Sequence, residues 1–235
     1  MRSLRIYYGD ADRRAAMDRL YREFVEPGDL VFDAGAHVGD RVACFRRLGA
    51  RVVAIEPQPH LVKMLRLLYG LDHAVTIEPV ALACRSGDVD LRVNVDNPTV
   101  STASEDFVRA AAGAPGWEGQ AWTRTIRVTA TTLDALIARY GMPAFIKIDV
   151  EGFEAEALNG LTHRVRALSF EFTTIAREVA ATCIARCSGL GYTSYNAALG
   201  ENMVLVHPRW QSAGEIAAWL SALPQEANSG DIYAR

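Results

Sequence analysis

The 235 residues are 50% hydrophobic and 23% charged, an ordinary globular composition at a length that supports one larger domain with a buried core, which excludes a disordered or fibrous chain. The balance of 25 basic against 28 acidic residues, a net charge of -3, advertises neither a nucleic-acid footprint nor a basic membrane face, so a small-molecule partner is expected. No run approaches the ~20 apolar residues of a membrane span, the opening segment lacks the apolar stretch of a secretory signal, and four scattered cysteines (Cys44, Cys84, Cys183 and Cys187) read as core thiols of a cytoplasmic, reducing setting.

From about Asp10 to Val25, Ala15, Met17, Leu20, Tyr21 and Phe24 recur at helical spacing, with Asp10 as cap and Pro27-Gly28 as stop. Leu30-Val31-Phe32 then forms a short apolar strand that ends in Asp33-Ala34-Gly35, followed by a helix over about Val38 to Leu48. Arg51 to Ile55, His60 to Leu68 and Ala74 to Val80 repeat the strand, helix, strand alternation, which implies a doubly wound parallel sheet covered on both faces. Asp88 to Val95 and Thr125 to Ala130 alternate with period two and flank a stretch over Asn97 to Ala121 that is rich in Ser, Gly, Ala and Pro, so an antiparallel excursion with a long mobile loop is expected. Phe145 to Asp149 reads as a central strand before a helix from about Phe153, and Ala167 to Phe172 as another strand. Gly191 to Tyr195 and Met203 to His207 give a hairpin signal around Gly200, and a last helix spans about Ala213 to Leu223. One domain over 1–235 results, with a leading helix (1–27), a core (28–206) carrying the excursion (87–128), and a C-terminal helix and tail (207–235).

Only two lysines occur, Lys63 and Lys147. Neither sits in a Walker A loop, and neither lies four residues after a tyrosine, so two common nucleotide-fold enzymes drop out. The strongest positive signal is VFDAGAHVG over Val31 to Gly39, a buried strand turning through Gly35 and Gly39 into a helix, where open α/β sheets bind ligands. The dinucleotide fingerprint would need glycine at Ala34 and Ala36. S-adenosylmethionine has no phosphate and tolerates a Cβ at those positions, and Asp33 suits a ligand carrying an amine. Val52 to Ile55 ends at Glu56-Pro57, which puts an acceptor-only carboxylate where a ribose-binding acid stands. In FIKIDVEGFE (Phe145 to Glu154), Lys147 falls on a buried strand and requires an acidic partner, for which Glu171 in SFEF is the expected choice.

These pieces, PGDLVFDAGAHVGD, AIEPQP, PVALACRSG, TTLDAL and IKIDVEGFEAEALNG, run in order over about Pro27 to Glu171, and in them the chain resembles the FkbM family of S-adenosylmethionine-dependent methyltransferases. The resemblance implies a class I, Rossmann-like sheet, mostly parallel with an antiparallel last strand. It places Asp33, Gly35, Ala36, His37 and Gly39 around the methionine part of the cofactor, Glu56 with Pro57 on the ribose, and Ala81 beside the adenine. Asp149 falls near the methionine amine or the reacting methyl. The acid many class I enzymes use for the adenine amino group has no counterpart in Pro79-Val80-Ala81, which leaves backbone, Cys84 or Arg85.

The expected activity is O-methylation of a hydroxyl on a sugar or secondary metabolite, with Asp149, Lys147 and Glu171 as the catalytic group and His37 either a base or a brace for the loop. Asp149 and Glu171 could be two oxygen ligands of a divalent cation, but no third is evident, so no metal is expected. Ser101, Ser104, Trp117 and Trp122 make the 97–121 stretch a candidate acceptor lid. The alternative is a non-catalytic S-adenosylmethionine-binding interaction subunit. No nucleic-acid or membrane partner is expected, and a homo-oligomer stays open.

Overall fold

The computed structural model describes residues 11–235; Asp10, the expected cap of the leading helix, lies outside the described residues. Helix α1 (Ala11–Tyr21) precedes two strand–helix repeats and a third strand: β1 (Leu30–Ala34), α2 (Asp40–Arg47), β2 (Arg51–Ile55), α3 (Pro59–Tyr69) and β3 (Val75–Glu78). Strands β4 (Ala81–Leu82) and β5 (Gly87–Val93), helix α4 (Glu105–Ala111) and strand β6 (Arg124–Thr131) follow. The chain returns through α5 (Leu133–Tyr140), β7 (Phe145–Ile148), α6 (Glu154–Asn159), β8 (Ala167–Thr173), α7 (Arg177–Gly189), β9 (Tyr195–Leu199), α8 (Ala213–Ala222) and β10 (Ser229–Ala234). Among the described residues no helix is long and apolar enough to cross a membrane.

Seven strands form one sheet in the order β3-β2-β1-β7-β8-β10-β9, while β4, β6 and β5 make a small second sheet. The pairs β2/β3, β1/β2, β1/β7 and β7/β8 are parallel, and β10 runs antiparallel to both β8 and β9. The fold is therefore the class I α/β sheet with its antiparallel last strand. The strand order reverses between β1 and β7, so the loops leaving their C-terminal ends diverge to opposite faces and open a crevice.

Successive side chains of a strand point to opposite faces, and both faces here are apolar. Val31, Val52, Ala54 and Phe145 join α1 and α2 through Tyr21, Phe24 and Phe45. Phe32, Val53, Ile55 and Ile146 join α5, α6, α7 and α8 on the other face. Two-sided burial is why these strands read as unbroken apolar runs rather than alternating ones.

Four expectations need correction. Residues 203–207 form no strand of a hairpin with β9: the Val206 N–H donates to the Ala197 carbonyl (2.7 Å), but the Asn196 side chain takes the next backbone groups, those of His207 (Nδ2 to the carbonyl, 2.9 Å; Oδ1 from the N–H, 3.1 Å), and the other side of β9 is occupied by β10. The C-terminal tail carries β10, a strand inside the sheet. Asn97 to Ala121 is not a structureless loop but holds α4, whose Phe107 packs edge-on against Trp117 (centroids 5.1 Å apart) in a small core with Ala111 and Ala176. Cys44, Cys183 and Cys187 are buried thiols, whereas Cys84 is exposed.

Candidate active site

The crevice at the strand order reversal is a cleft of about 1000 Å³, its open mouth included. Its floor is the turn after β1. Gly35 has φ +80°, and a Cβ there would lie 1.7 Å from the Asp149 carbonyl oxygen, so only glycine lets the ends of β1 and β7 close on each other. Gly39, with φ +83°, meets the ring of Tyr69, whose hydroxyl donates to the Gly39 carbonyl at 2.7 Å. The N–H groups of Gly35 and Ala36 both donate to the Ile55 carbonyl (3.0 and 3.1 Å), tying the turn to the end of β2.

Glu56, 2% exposed, stands where that tie ends. Its Oε2 accepts from the His37 N–H at 3.0 Å and its Oε1 from the Gln58 N–H at 2.8 Å. His37 takes a left-handed conformation (φ 47°), and its backbone N–H braces the carboxylate. One backbone donor on each oxygen fixes the carboxylate at the edge of the cleft. Burial pushes the Glu56 carboxyl up to about 7, against the pull of the two backbone donors.

Asp33 is 1% exposed at the end of β1, in register with Lys147 on β7. Its Oδ2 is buried without a hydrogen-bond partner, and burial pushes its carboxyl up to about 7, with Lys147 pulling the other way. An orphaned carboxylate oxygen in a cleft is a docking point for a ligand's cationic donor.

Lys147 is fully buried, as expected, but its partner is not Glu171. Its Nζ bonds Asp149 Oδ2 at 2.7 Å and Asp231 Oδ1 at 3.3 Å. Asp231 lies on β10, directly opposite Glu171 on β8, so the inserted strand delivers the counter-charge that the sequence reading assigned to its neighbour. Burial works against the Lys147 charge, yet the two carboxylates outweigh it and hold the ammonium well above its usual range. The same pairing keeps Asp149 ionised despite burial. Glu171 instead lines the cleft, pushed well up by burial and by the neighbouring Asp149 and Glu151 carboxyls.

The loop after β7 is shaped by Glu154, whose Oε1 accepts from the N–H groups of Val150 (2.9 Å) and Gly152 (3.2 Å). This bend turns Glu151, with φ 55°, into the cleft wall. The opposite wall is apolar, with Ile55, Val80, Ala81, Leu82, Leu91 and Phe153 facing the same space. Ala81 thus lies where a flat ring would pack, and Pro57 lines the cleft beside Glu56, whereas Cys84 and Arg85 do not line it. Gln58 does, and its Oε1 is buried with no partner. Glu201, in the turn after β9, closes one end of the cleft by receiving Arg41 (2.9 Å) and Arg13 (2.6 Å).

The 97–121 stretch lines the cleft with Thr99, Ser101 and Ala103, so of the four groups expected there only Ser101 reaches it. Ser104 caps α4 by accepting from the Phe107 N–H at 3.0 Å, Trp117 is buried in the small core, and Trp122 Nε1 donates to the Val100 carbonyl at 2.7 Å. Glu151, Gln58, Glu201 and Asp231 were not singled out by sequence reasoning. Glu151 and Gln58 stood inside quoted motifs, while Glu201 and Asp231 carry no local signal because only topology brings them here.

A model of the Methyltransferase FkbM domain matches residues 33–226. Hexuronic acid methyltransferase AglP of Haloferax volcanii is 28% identical over 169 residues, which span 70% of this chain and 64% of that protein. Among solved structures, the precorrin-6y C5,15-methyltransferase of Geobacter metallireducens superposes with a TM-score of 0.47 at 14% identity, covering 94% of this chain and 86% of that one. Aeropyrum pernix fibrillarin with S-adenosyl-L-methionine superposes with a TM-score of 0.48 at 10% identity, covering 94% and 73%. The family match runs from the carboxylate that ends β1 to the helix before the last strand, and the protein belongs to the FkbM family of methyltransferases, whose cofactor is S-adenosylmethionine.

Proposed function

We propose that the protein transfers the methyl group of S-adenosylmethionine to a hydroxyl of a sugar or secondary metabolite, with an acidic sugar the first acceptor to test. The observation that carries the cofactor half is the paired arrangement of Glu56, its carboxylate gripped by two backbone N–H groups, and Asp33, its Oδ2 orphaned across the Gly35 turn. A vicinal ribose diol donates two hydrogen bonds to one carboxylate, and an ammonium satisfies the other. The apolar wall around Ala81 accepts the adenine, and Gln58 Oε1 is the acceptor for its amino group. The choice of a sugar acceptor is supported by the relative from Haloferax volcanii, named for hexuronic acid methylation.

The sulfonium of the bound cofactor supplies an already activated methyl group. The chain's work is then alignment and exclusion of water. Asp149, held ionised by Lys147, sits between the Asp33 end of the cleft and the Glu171 side, where the acceptor oxygen has to arrive. A hydroxyl loses its proton as it is methylated, and the carboxyls of this corner stand ready to take it.

Glu56→Ala is expected to weaken cofactor binding by about 1 to 3 kcal/mol while leaving the fold intact, because it removes charge-assisted hydrogen bonds to the ribose. Calorimetry with S-adenosylhomocysteine checks this, and unchanged affinity in a folded variant would take Glu56 out of the cofactor site. Turnover is tested by mass spectrometry with labelled cofactor and a panel of uronic acids and other hydroxylated acceptors. Cofactor binding without transfer to any of them would favour the non-catalytic binding subunit.

The raised carboxyls also set a pH dependence. A folded-state value near 7 for Asp33 and Glu56, against about 4 when unfolded, means that the folded protein holds these protons more tightly. Their charge therefore costs stability above pH 7, and that cost is relieved as pH falls through 7. Cofactor binding requires the charged forms. Between about pH 8 and about pH 6, thermal stability of the ligand-free protein should rise while affinity for S-adenosylhomocysteine falls; parallel changes in both quantities would contradict the assignment.

A further inference from the structure

One end of the cleft is closed by a carboxylate of the protein itself. Glu201 stands in the turn after β9 with its side chain 53% exposed. Both of its oxygens accept from Arg41 Nη2 (3.1 and 2.9 Å), and Oε2 also accepts from Arg13 Nη2 at 2.6 Å. Arg41 differs in every respect: its side chain is 8% exposed, its Nη1 bonds Asp40 Oδ2 at 2.5 Å, and its Nε is buried with no partner. Arg13 bonds the same Asp40 oxygen at 3.0 Å. Asp40, 11% exposed, is therefore the inner anchor of both guanidinium groups, and Glu201 is their outer, solvent-facing partner.

Among the described residues, Arg41 and Lys147 are the only lysines or arginines that line the cleft. Lys147 is enclosed between Asp149 and Asp231. A carboxylate that enters the cleft thus has one cation to meet, and it reaches that cation by taking the place of Glu201. The exchange is charge for charge: two guanidinium groups face two carboxylates before and after it. Glu201 returns to water, where a half-exposed ion pair is worth little. Only its side chain has to turn, because the Gly200 N–H to the Ser229 carbonyl (2.8 Å) and the Asn202 N–H to the Leu199 carbonyl (3.2 Å) hold the backbone of the turn.

Two ligands of the methyltransferase reading carry such a group. S-adenosylmethionine has its ammonium and its carboxylate on one carbon, so an ammonium on Asp33 brings the carboxylate to the neighbouring wall. That wall holds Asp40 and Arg41, whose charges act on Asp33. A uronic acid acceptor offers the same chemistry on a sugar.

We propose that Arg41, with Arg13, is a carboxylate receptor that Glu201 fills until the carboxylate of a ligand, the methionine end of the cofactor or a uronic acid acceptor, displaces it. Glu201 is then a positioning residue. It keeps the two guanidinium groups aligned and neutralised, and it sets a competition that a carboxylate-bearing ligand must win and that a neutral ligand never enters. The identity of the two ligands rests on the methyltransferase reading.

The test is calorimetry on the full-length parent, Glu201→Gln and Glu201→Ala, with S-adenosylhomocysteine and with methylthioadenosine, which lacks the amino-acid group. Glucuronate and glucose are then titrated into the chain saturated with S-adenosylhomocysteine. Removing the competing charge should tighten binding of the carboxylate-bearing member of one pair by about threefold or more, with its neutral counterpart unchanged. A gain for S-adenosylhomocysteine assigns the receptor to the cofactor, and a gain for glucuronate assigns it to the acceptor. The exposed Glu226→Gln removes the same charge elsewhere and should change nothing. Arg41→Gln added to Glu201→Gln should abolish the gain; a gain that persists places the ligand carboxylate elsewhere and overturns the assignment. Unchanged or weaker binding of both carboxylate ligands, or equal shifts for the neutral ones, overturns it as well. Cofactor binding that ignores Glu201, with glucuronate equally indifferent, sinks only the receptor, whereas a parent chain that binds no S-adenosylhomocysteine sinks the methyltransferase reading beneath it.

Discussion

Lys147→Met is expected to destabilise the protein by about 3 kcal/mol, because it leaves the buried Asp231 and the half-buried Asp149 without their shared cation. The methionine fills a similar volume, so the loss reflects charge rather than a cavity. Protonation of the stranded carboxyls relieves it, and the deficit should therefore shrink as the pH is lowered toward the carboxylate range. Denaturant unfolding of parent and variant at neutral and acidic pH checks both points; a variant within about 1 kcal/mol of the parent at pH 7 would show that the lysine is not the counter-charge of this core. Glu171→Gln separates this arrangement from the one expected from sequence. Were Glu171 the partner of Lys147, the amide would destabilise; with Asp149 and Asp231 as partners, it should leave stability unchanged or raised.

Gly35→Ala should cost about 3 kcal/mol or more in cofactor affinity, and should lower stability as well. Two effects combine. An L-residue at φ +80° is strained by about 1 to 2 kcal/mol, and the new methyl would occupy the position of the Asp149 backbone oxygen, which cannot swing aside as a side chain would. The ends of β1 and β7 must separate, and that gap runs through the groups that position Glu56, Asp33 and Asp149. Calorimetry with S-adenosylhomocysteine and thermal unfolding report the two losses separately. Affinity near that of the parent would mean that the turn is not the floor of the cofactor site.

The sequence by itself determined the repeating strand and helix order, because two-sided burial leaves apolar runs such as Leu30-Val31-Phe32 and Val52 to Ile55 that local reading detects. It also determined the DAGAHVG turn and the acid after β2, since the required backbone conformation and the strand end are both written within a few neighbouring residues. It identified Lys147 as a buried cation for the same reason, an ionisable residue set in an apolar strand. What only the tertiary structure decided depends on pairings between residues far apart in the chain. The insertion of Ser229–Ala234 between β8 and β9 moved the partner of Lys147 from Glu171 to Asp231, a residue 84 positions away. The packing of Phe107 on Trp117 turned an apparently loose stretch into an ordered wall, because its few large apolar residues are too sparse to show a period yet suffice to seat one short helix. Glu151 sat in plain view beside Asp149, but whether its carboxylate faced water or the cleft was set by a left-handed backbone and by the bonds Glu154 makes to the loop. Local patterning encodes which face of an element is apolar; it does not encode which distant element will cover it, and the charge balance of this cleft was settled by that second choice.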